Sequence, residues 1–262
     1  MRVPKPRVGS PLLKETAYYV SASLPPTFGL PPHFAFRYPA SLAGHAFGFN
    51  AHGLTLSMNS LTPTAIDSSG VGCYFLCHSA LSMPTVDAVV QLFRSRRSAF
   101  GGSLNVASTQ TAGHSGANLE FAPGLGANIA VTPMPRSPIA AASFHMNEYL
   151  HLRGVSFRKD ASSEHRLARA MTLIAQVPAR AANLSSLWRV LGDTADTAYP
   201  LYRKFTAATA TFALADEQPT LYVHEGGNPL SQATRRVQFA LPRAKAPCAE
   251  GPCPWPAFSF GL

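Results

Sequence analysis

The chain has 262 residues, only 13% of them charged, with a formal net charge of +9. That length fits one large domain or two small ones with ample core. No apolar run is long enough to span a bilayer, and no hydrophobic signal core follows the basic start Met1–Arg7. The arginines are dispersed in small groups (Arg94, Arg96, Arg97; Arg166, Arg169; Arg235, Arg236) without interleaved aromatics. This argues for a solvated basic surface and against a nucleic-acid or membrane partner.

Residues 1–31 are Pro-rich and weakly patterned, and read as an N-terminal arm with one short strand at Ala17–Ser23. His33–Tyr38 reads as a strand ended by Pro39. Ala43–Asn50 and Leu54–Asn59 form a hairpin whose turn, Asn50-Ala51-His52-Gly53, places Gly53 where φ > 0 is wanted. Leu54, Leu56 and Met58 alternate with Thr55, Ser57 and Asn59, so one face enters a core and the other stays polar. Cys73–Leu81 reads as a helix. A second begins after Pro84, with Thr85 as cap and Val86, Val89, Val90 and Phe93 as its apolar stripe. Short strands follow at Leu104–Ser108, Ala117–Phe121, Ala127–Thr132 and Ile139–Phe144. The period then changes. A helix runs from a Ser162 or Ser163 cap, with Glu164 in its first turn, to Ala175, and another spans Leu184–Leu191 and stops at Gly192. Strands return at Thr209–Ala215 and Thr220–Val223, and residues 231–262 read as a Pro-rich tail on the surface. Strands, a helix pair, strands, a second helix pair and strands indicate α+β layers rather than a doubly wound sheet. A four-layer αββα sandwich over residues 32–230 accommodates the order.

Four cysteines form two pairs. Cys73 and Cys77 read as buried thiols in a reducing, cytoplasmic setting, since no second pair has zinc-like spacing, and no metal or cofactor is expected. Cys248 and Cys253 could close a loop only in an oxidising compartment. The histidines are scattered, and neither a phosphate-cradling loop nor a Gly-x-Ser-x-Gly elbow occurs. Asn147, in Phe144-His145-Met146-Asn147-Glu148-Tyr149-Leu150, sits where a carboxamide can donate to an oxyanion or satisfy a turn. Gly101-Gly102-Ser103 lets the backbone come close to something or forms a bulge. Arg203, beside Tyr199 and Tyr202, suits a carboxylate clamp or a structural ion pair.

Taken in order, these segments resemble the penicillin acyltransferase-type family of N-terminal-nucleophile hydrolases, which includes acyl-CoA:6-aminopenicillanic acid acyltransferase and the β-alanyl-dopamine and carcinine hydrolases. The match is carried by Tyr38–Gly44, Gly48–Leu54 with Asn59-Ser60-Leu61, Gly102–Asn105, Leu119–Pro123, His145–Leu150, Ser162–Arg166, Leu191–Asp193, Tyr199–Arg203 and Asn228-Pro229. The resemblance implies the αββα sandwich and amide-bond chemistry on a small amide or amine substrate, with a Cys freed by self-cleavage as nucleophile and its own α-amine as base. It implies Asn147 as oxyanion donor, Ser103 lining the site and Arg203 in its polar network. Asn50, His145 and Glu148 fall to the substrate-facing wall, Glu148 standing where the family has His.

The nucleophile should lie upstream of the Gly48–Leu54 turn, where this sequence has no Cys. Ser10, Thr16, Ser21 and Ser23 are there, but none precedes a full hairpin at family spacing. The expectation is therefore a sandwich incomplete at its N-terminal side, inactive alone, whose nucleophile comes from a further N-terminal segment. The alternatives are a pseudoenzyme binding a small amine or acyl ligand, and a basic interaction protein.

Overall fold

The computed structural model describes residues 15–23, 27, 30–109, 116–126, 128–134, 144–178, 183–214 and 218–242. A seven-stranded antiparallel sheet is built from β1 (Tyr18–Ala22), β2 (His33–Arg37), β3 (Phe47–Asn50), β4 (Leu54–Ser60), β6 (Gly102–Ser108), β7 (Gly116–Phe121) and β9 (Ile129–Pro133), in the spatial order β1-β2-β3-β4-β6-β7-β9. The short strands β5 (Arg97–Ser98) and β8 (Gly124–Leu125) pair beside it. A second antiparallel sheet has the order β10 (Ala208–Ala213), β11 (Thr220–Glu225), β12 (Arg235–Ala240).

The two sheets stack face to face. Phe34, Phe36, Phe47 and Phe49 of the large sheet pack against Leu221 and Val223 of β11. Helices α1 (Cys73–Ala80) and α2 (Val86–Ser95) cover the other face of the large sheet. There Leu54, Leu56, Leu104, Val106, Leu119 and Phe121 meet Leu76, Val89 and Phe93. Helices α3 (Ala161–Ala175) and α4 (Leu184–Leu191) lie beyond the small sheet. Trp188 of α4 donates from Nε1 to Thr211 Oγ1 at 3.2 Å and meets the His224 ring edge-on. The layers are thus helix, sheet, sheet, helix, and the fold is α+β.

Local chemistry explains the elements. Thr85 Oγ1 caps α2 by accepting the Ala88 N–H at 3.1 Å. Gly53 has φ +77° and closes the β3–β4 turn with an N–H to Asn50 O bond of 3.0 Å. Gly192 ends α4.

Some expectations need correcting. The cap of α3 is Asp160, not Ser162 or Ser163: its carboxylate accepts from the Ser162 N–H at 3.2 Å and the Ser163 hydroxyl at 3.0 Å. The Asp160 carboxylate offers an oxygen to each donor, while the Ser163 hydroxyl is engaged with Asp160, Asn147 and Arg166. Residues 1–31 contain β1, which belongs to the large sheet because Tyr19 is inserted among Phe34, Phe36 and Phe239. Residues 231–262 contain β12, paired with β11 along its whole length. The strand expected at Ile139–Phe144 lies outside the described residues except for Phe144, which packs against the α3–α4 cluster. Cys248 and Cys253 also lie outside them. No helix among the described residues is long and apolar enough to cross a membrane.

Candidate functional site

Strand alternation sends Leu54, Leu56 and Met58 of β4 toward the helices and Thr55, Ser57 and Asn59 toward the space between the sheets. The same parity holds on β6 and β7. Two polar rows result, in register across three strands: Ser57–Asn105–Asn118 and Asn59–Ser103–Glu120. Asn118 Nδ2 donates to Ser103 Oγ at 2.7 Å and to Asn105 Oδ1 at 2.8 Å, and Asn105 Nδ2 donates to Ser57 Oγ at 3.3 Å.

Segment 145–152 is fastened across the end of these rows. Glu120, fully buried, accepts from the backbone N–H groups of Leu150, His151 and Leu152 at 2.6, 2.9 and 2.6 Å. Its Oε1 also lies 2.6 Å from His145 Nε2. Burial alone would raise the Glu120 carboxyl pKa. The His145 ring and the three N–H donors outweigh burial and hold it at about 2. Tyr149 donates its hydroxyl to Phe121 O at 3.0 Å. Gly101 is where the backbone must come close: a Cβ there would collide with that hydroxyl.

Two asparagines complete the clamp in opposite directions. Asn59 Nδ2 on β4 donates to the carbonyls of His145 and Met146 at 2.7 and 3.1 Å. Asn147 Nδ2 donates back to Ser60 O at 3.0 Å. Asn147 Oδ1 accepts from Arg166 Nη2 at 2.9 Å, and its N–H donates to Ser163 Oγ at 3.2 Å. Arg166 of α3 is buried rather than on the solvated basic surface the sequence suggested. Burial, then the nearby positive charge of Arg203, lowers its pKa to about 10 against the pull of Asp160.

The expected site residues therefore fall into two groups. Ser103 and Asn147 lie at the same end of β4 and β6, since Asn147 bonds to Ser60 and Ser60 pairs with Gly102 beside Ser103. Arg203 is exposed on the rim of that end. Its charge acts on Arg166 and opposes the upward shift that burial gives the Tyr38 hydroxyl. Asn50, His145 and Glu148 are occupied otherwise. Asn50 is fully buried on the helix side of the sheet. Its Nδ2 donates to Leu81 O and Met83 O at 2.8 Å each, and its Oδ1 accepts from the His52 and Leu54 N–H groups. It fastens the turn to the α1–α2 connection, with no valence left for a ligand. Both His145 ring nitrogens face oxygens of this chain, Glu120 Oε1 and Met146 O. Glu148 Oε1 accepts from the Asp160 N–H at the start of α3.

Glu120, Asn118 and Arg166 are the site residues that the sequence alone did not single out. The signal for the first two was present: Asn118 and Glu120 alternate with Ala117, Leu119 and Phe121, so they share a face with Ser103. Arg166 looks like any helix arginine in sequence. Cys73 and Cys77 are buried free thiols with sulfurs 3.9 Å apart on the opposite face of the large sheet. The Cys77 thiol is pushed well up, by its bond to Cys73 and by burial. Among the described residues no three His, Cys, Asp or Glu side chains group as metal ligands.

The family model described as acyl-coenzyme A:6-aminopenicillanic acid acyl-transferase matches residues 9–228. The chain belongs to this family, which is one of amide hydrolases and acyltransferases with the N-terminal-nucleophile fold. Two variants of conjugated bile acid hydrolase from Clostridium perfringens are similar in structure, each with TM-score 0.46 and 12% identity over 79% of this chain and 76% of that one. Penicillin V acylase from Agrobacterium tumefaciens has TM-score 0.44 and 10% identity, over 80% of this chain and 69% of the other. No curated protein matches the chain.

Proposed function

We propose that the polar end of the sandwich receives the amide of a small N-acylated amine, an N-β-alanyl amine in particular, and that this chain does not break the amide bond on its own. The observation that supports amide recognition is the state of Asn147. Arg166 holds its carbonyl and Ser60 takes one of its amide hydrogens, while the second has no acceptor among the described residues. A carboxamide fixed in this way is a preorganised donor for a tetrahedral oxyanion, a role worth about 100- to 1,000-fold in rate. The inactivity we propose is supported by the nucleophiles found among the described residues. Cys73 and Cys77 lie across the sheet, and Ser103 Oγ has a carboxamide beside it rather than a base. A second reading, a ligand-binding protein that keeps the pocket without chemistry, is favoured by the completeness of the Glu120–His145–Asn59–Asn147 network.

Incubation with carcinine, followed by chromatography for β-alanine, tests the first statement. No product above buffer is expected, and turnover that disappears in Asn147→Ala would refute it. A rise in melting temperature with carcinine, without product, supports the second reading.

A further inference from the structure

A cavity of about 490 Å³ opens between the two sheets where β1 and β2 face the ends of β10 and β11. Its walls include the Tyr19 and Phe36 rings with Ala207 and Ala208, and its charged groups are the carboxylates of Glu15 and Glu225. It is separate from the polar rows. Phe36 and Asn105 lie in one register line through Phe47 and Ser57, three strand spacings or about 14 Å apart.

We infer that this cavity is a second binding site, for a small free organic amine carried on a short aromatic or alkyl body. Three features select that chemistry. The charged groups lining the cavity are both anionic, and the cation nearest to Glu225, Arg235, lies outside the lining with its Nε 3.7 Å from Glu225 Oε2 and its side chain 69% exposed. An exposed pair of that kind is weak, so it leaves the carboxylate available to a ligand. Tyr19 donates its hydroxyl to Glu225 Oε1 at 2.7 Å, which fixes the carboxylate over the cavity. Burial, reinforced by Glu225, raises the Tyr19 pKa and keeps the hydroxyl a neutral donor. The Tyr19 ring stacks on Phe34 with centroids 5.4 Å apart and meets Phe36 edge-on at 5.6 Å, so the wall is rigid and presents π surface to a cation. A hard metal ion is disfavoured: it needs six or more oxygens, and these walls are alkyl and ring carbon. An ammonium group satisfies the carboxylates while its body displaces water from the walls.

Titration calorimetry of the full chain with phenethylamine tests the site, with phenethyl alcohol as the neutral isostere and 3-phenylpropionate as the anion. The amine is expected to bind at least about tenfold more tightly than the alcohol, and the anion not at all. Glu225→Gln should weaken the amine by about tenfold and Glu15→Gln by a smaller factor. Glu15 is exposed, so its variant reports even where Glu225→Gln fails to fold. Equal binding of amine and alcohol, binding unchanged in both variants, or no heat at millimolar amine would overturn the assignment. Asn147→Ala should leave amine binding within about twofold. A large loss there would move the amine to the polar end and also overturn it, whereas failure of the carcinine experiment leaves this site untouched.

Discussion

The inner face of the large sheet divides at the β3–β4 hairpin into two unlike halves. On β2 and β3 it presents Phe34, Phe36, Phe47 and Phe49 to the small sheet. On β4, β6 and β7 it presents Ser57, Asn59, Ser103, Asn105, Asn118 and Glu120 to segment 145–152 and the space beside it. The helix-facing side of the same strands shows no such division; it is apolar apart from buried polar residues such as Asn50 and Ser108 at strand ends. The aromatic half holds two layers together by burial, which needs shape but little direction. Each polar group on the other half needs a particular partner: Ser57, Ser103, Asn105 and Asn118 find one another across the strands, and Asn59 and Glu120 find segment 145–152. A sheet that needed only stability would have continued the phenylalanines, so the polar half is where function displaced packing.

The sharpest way to break this comparison is to truncate one residue in each half. Phe34, 3% exposed, touches Tyr19, Phe49 and Phe239. Phe34→Ala should cost about 3–5 kcal/mol, read as a fall in the urea midpoint. Ser57→Ala should stay within about 1 kcal/mol, because Asn105 keeps its other bonds. Similar costs for the two would show that the halves do not differ in kind.

Glu120→Gln comes next, at about 2–3 kcal/mol, since it removes a charge that binds one ring and three N–H groups. It also carries a pH signature. The native carboxyl, at about 2, lies below its ordinary value of 4.5. The group therefore contributes fully above about pH 5, and its contribution fades as pH falls through 4.5 toward 2. The whole effect is about 3 kcal/mol. In urea titrations between pH 3 and 7, the native chain should lose stability on the acid side and Glu120→Gln should lose clearly less. Parallel acid limbs would remove Glu120 as the anchor of segment 145–152.

How much of this was legible beforehand follows the same division. The strands β2, β3, β4, β6 and β7 could be read, with the facing direction taken from alternation on β4, as could α2 through Thr85 and α4 through Gly192. Helix α3 was found but its cap was misplaced by two or three residues, because Asp160 lies just before two serines that also favour caps. Strand β1 was read at Ala17–Ser23 but not its place in the large sheet, and β12 was hidden by flanking prolines and by a short, partly exposed pattern. Ser103 and Asn147, singled out from their motifs, lie at the same end of the sheet. Asn50 misled, since an asparagine beside a turn reads the same whether its amide faces a ligand or, as here, two backbone carbonyls across the fold. Arg166 and the bonds that occupy His145 depend on contacts 15 to 25 residues apart in sequence, such as Arg166 with Asn147 or His145 with Glu120. Local pattern carries no trace of these.

The smallest effect concerns the clamp itself. Asn59 reaches from the sheet to the carbonyls of 145 and 146, and Asn147 reaches from that segment back to Ser60. Asn59→Ala and Asn147→Ala should each cost about 1–2 kcal/mol. If the two act as one device, the first removal already loosens the segment and the second then costs less. The double variant should fall short of the sum by about 0.5–1 kcal/mol, measured by urea unfolding of all four proteins at pH 7. Hydrogen exchange should show faster opening of the Leu150, His151 and Leu152 amides in either single variant, while the Phe34 amide in the aromatic half keeps its protection. Costs that add within about 0.3 kcal/mol would mean that the two asparagines act independently. The carboxamide of Asn147 would then be held by Arg166 alone, and its readiness to donate would depend on α3 rather than on the sheet.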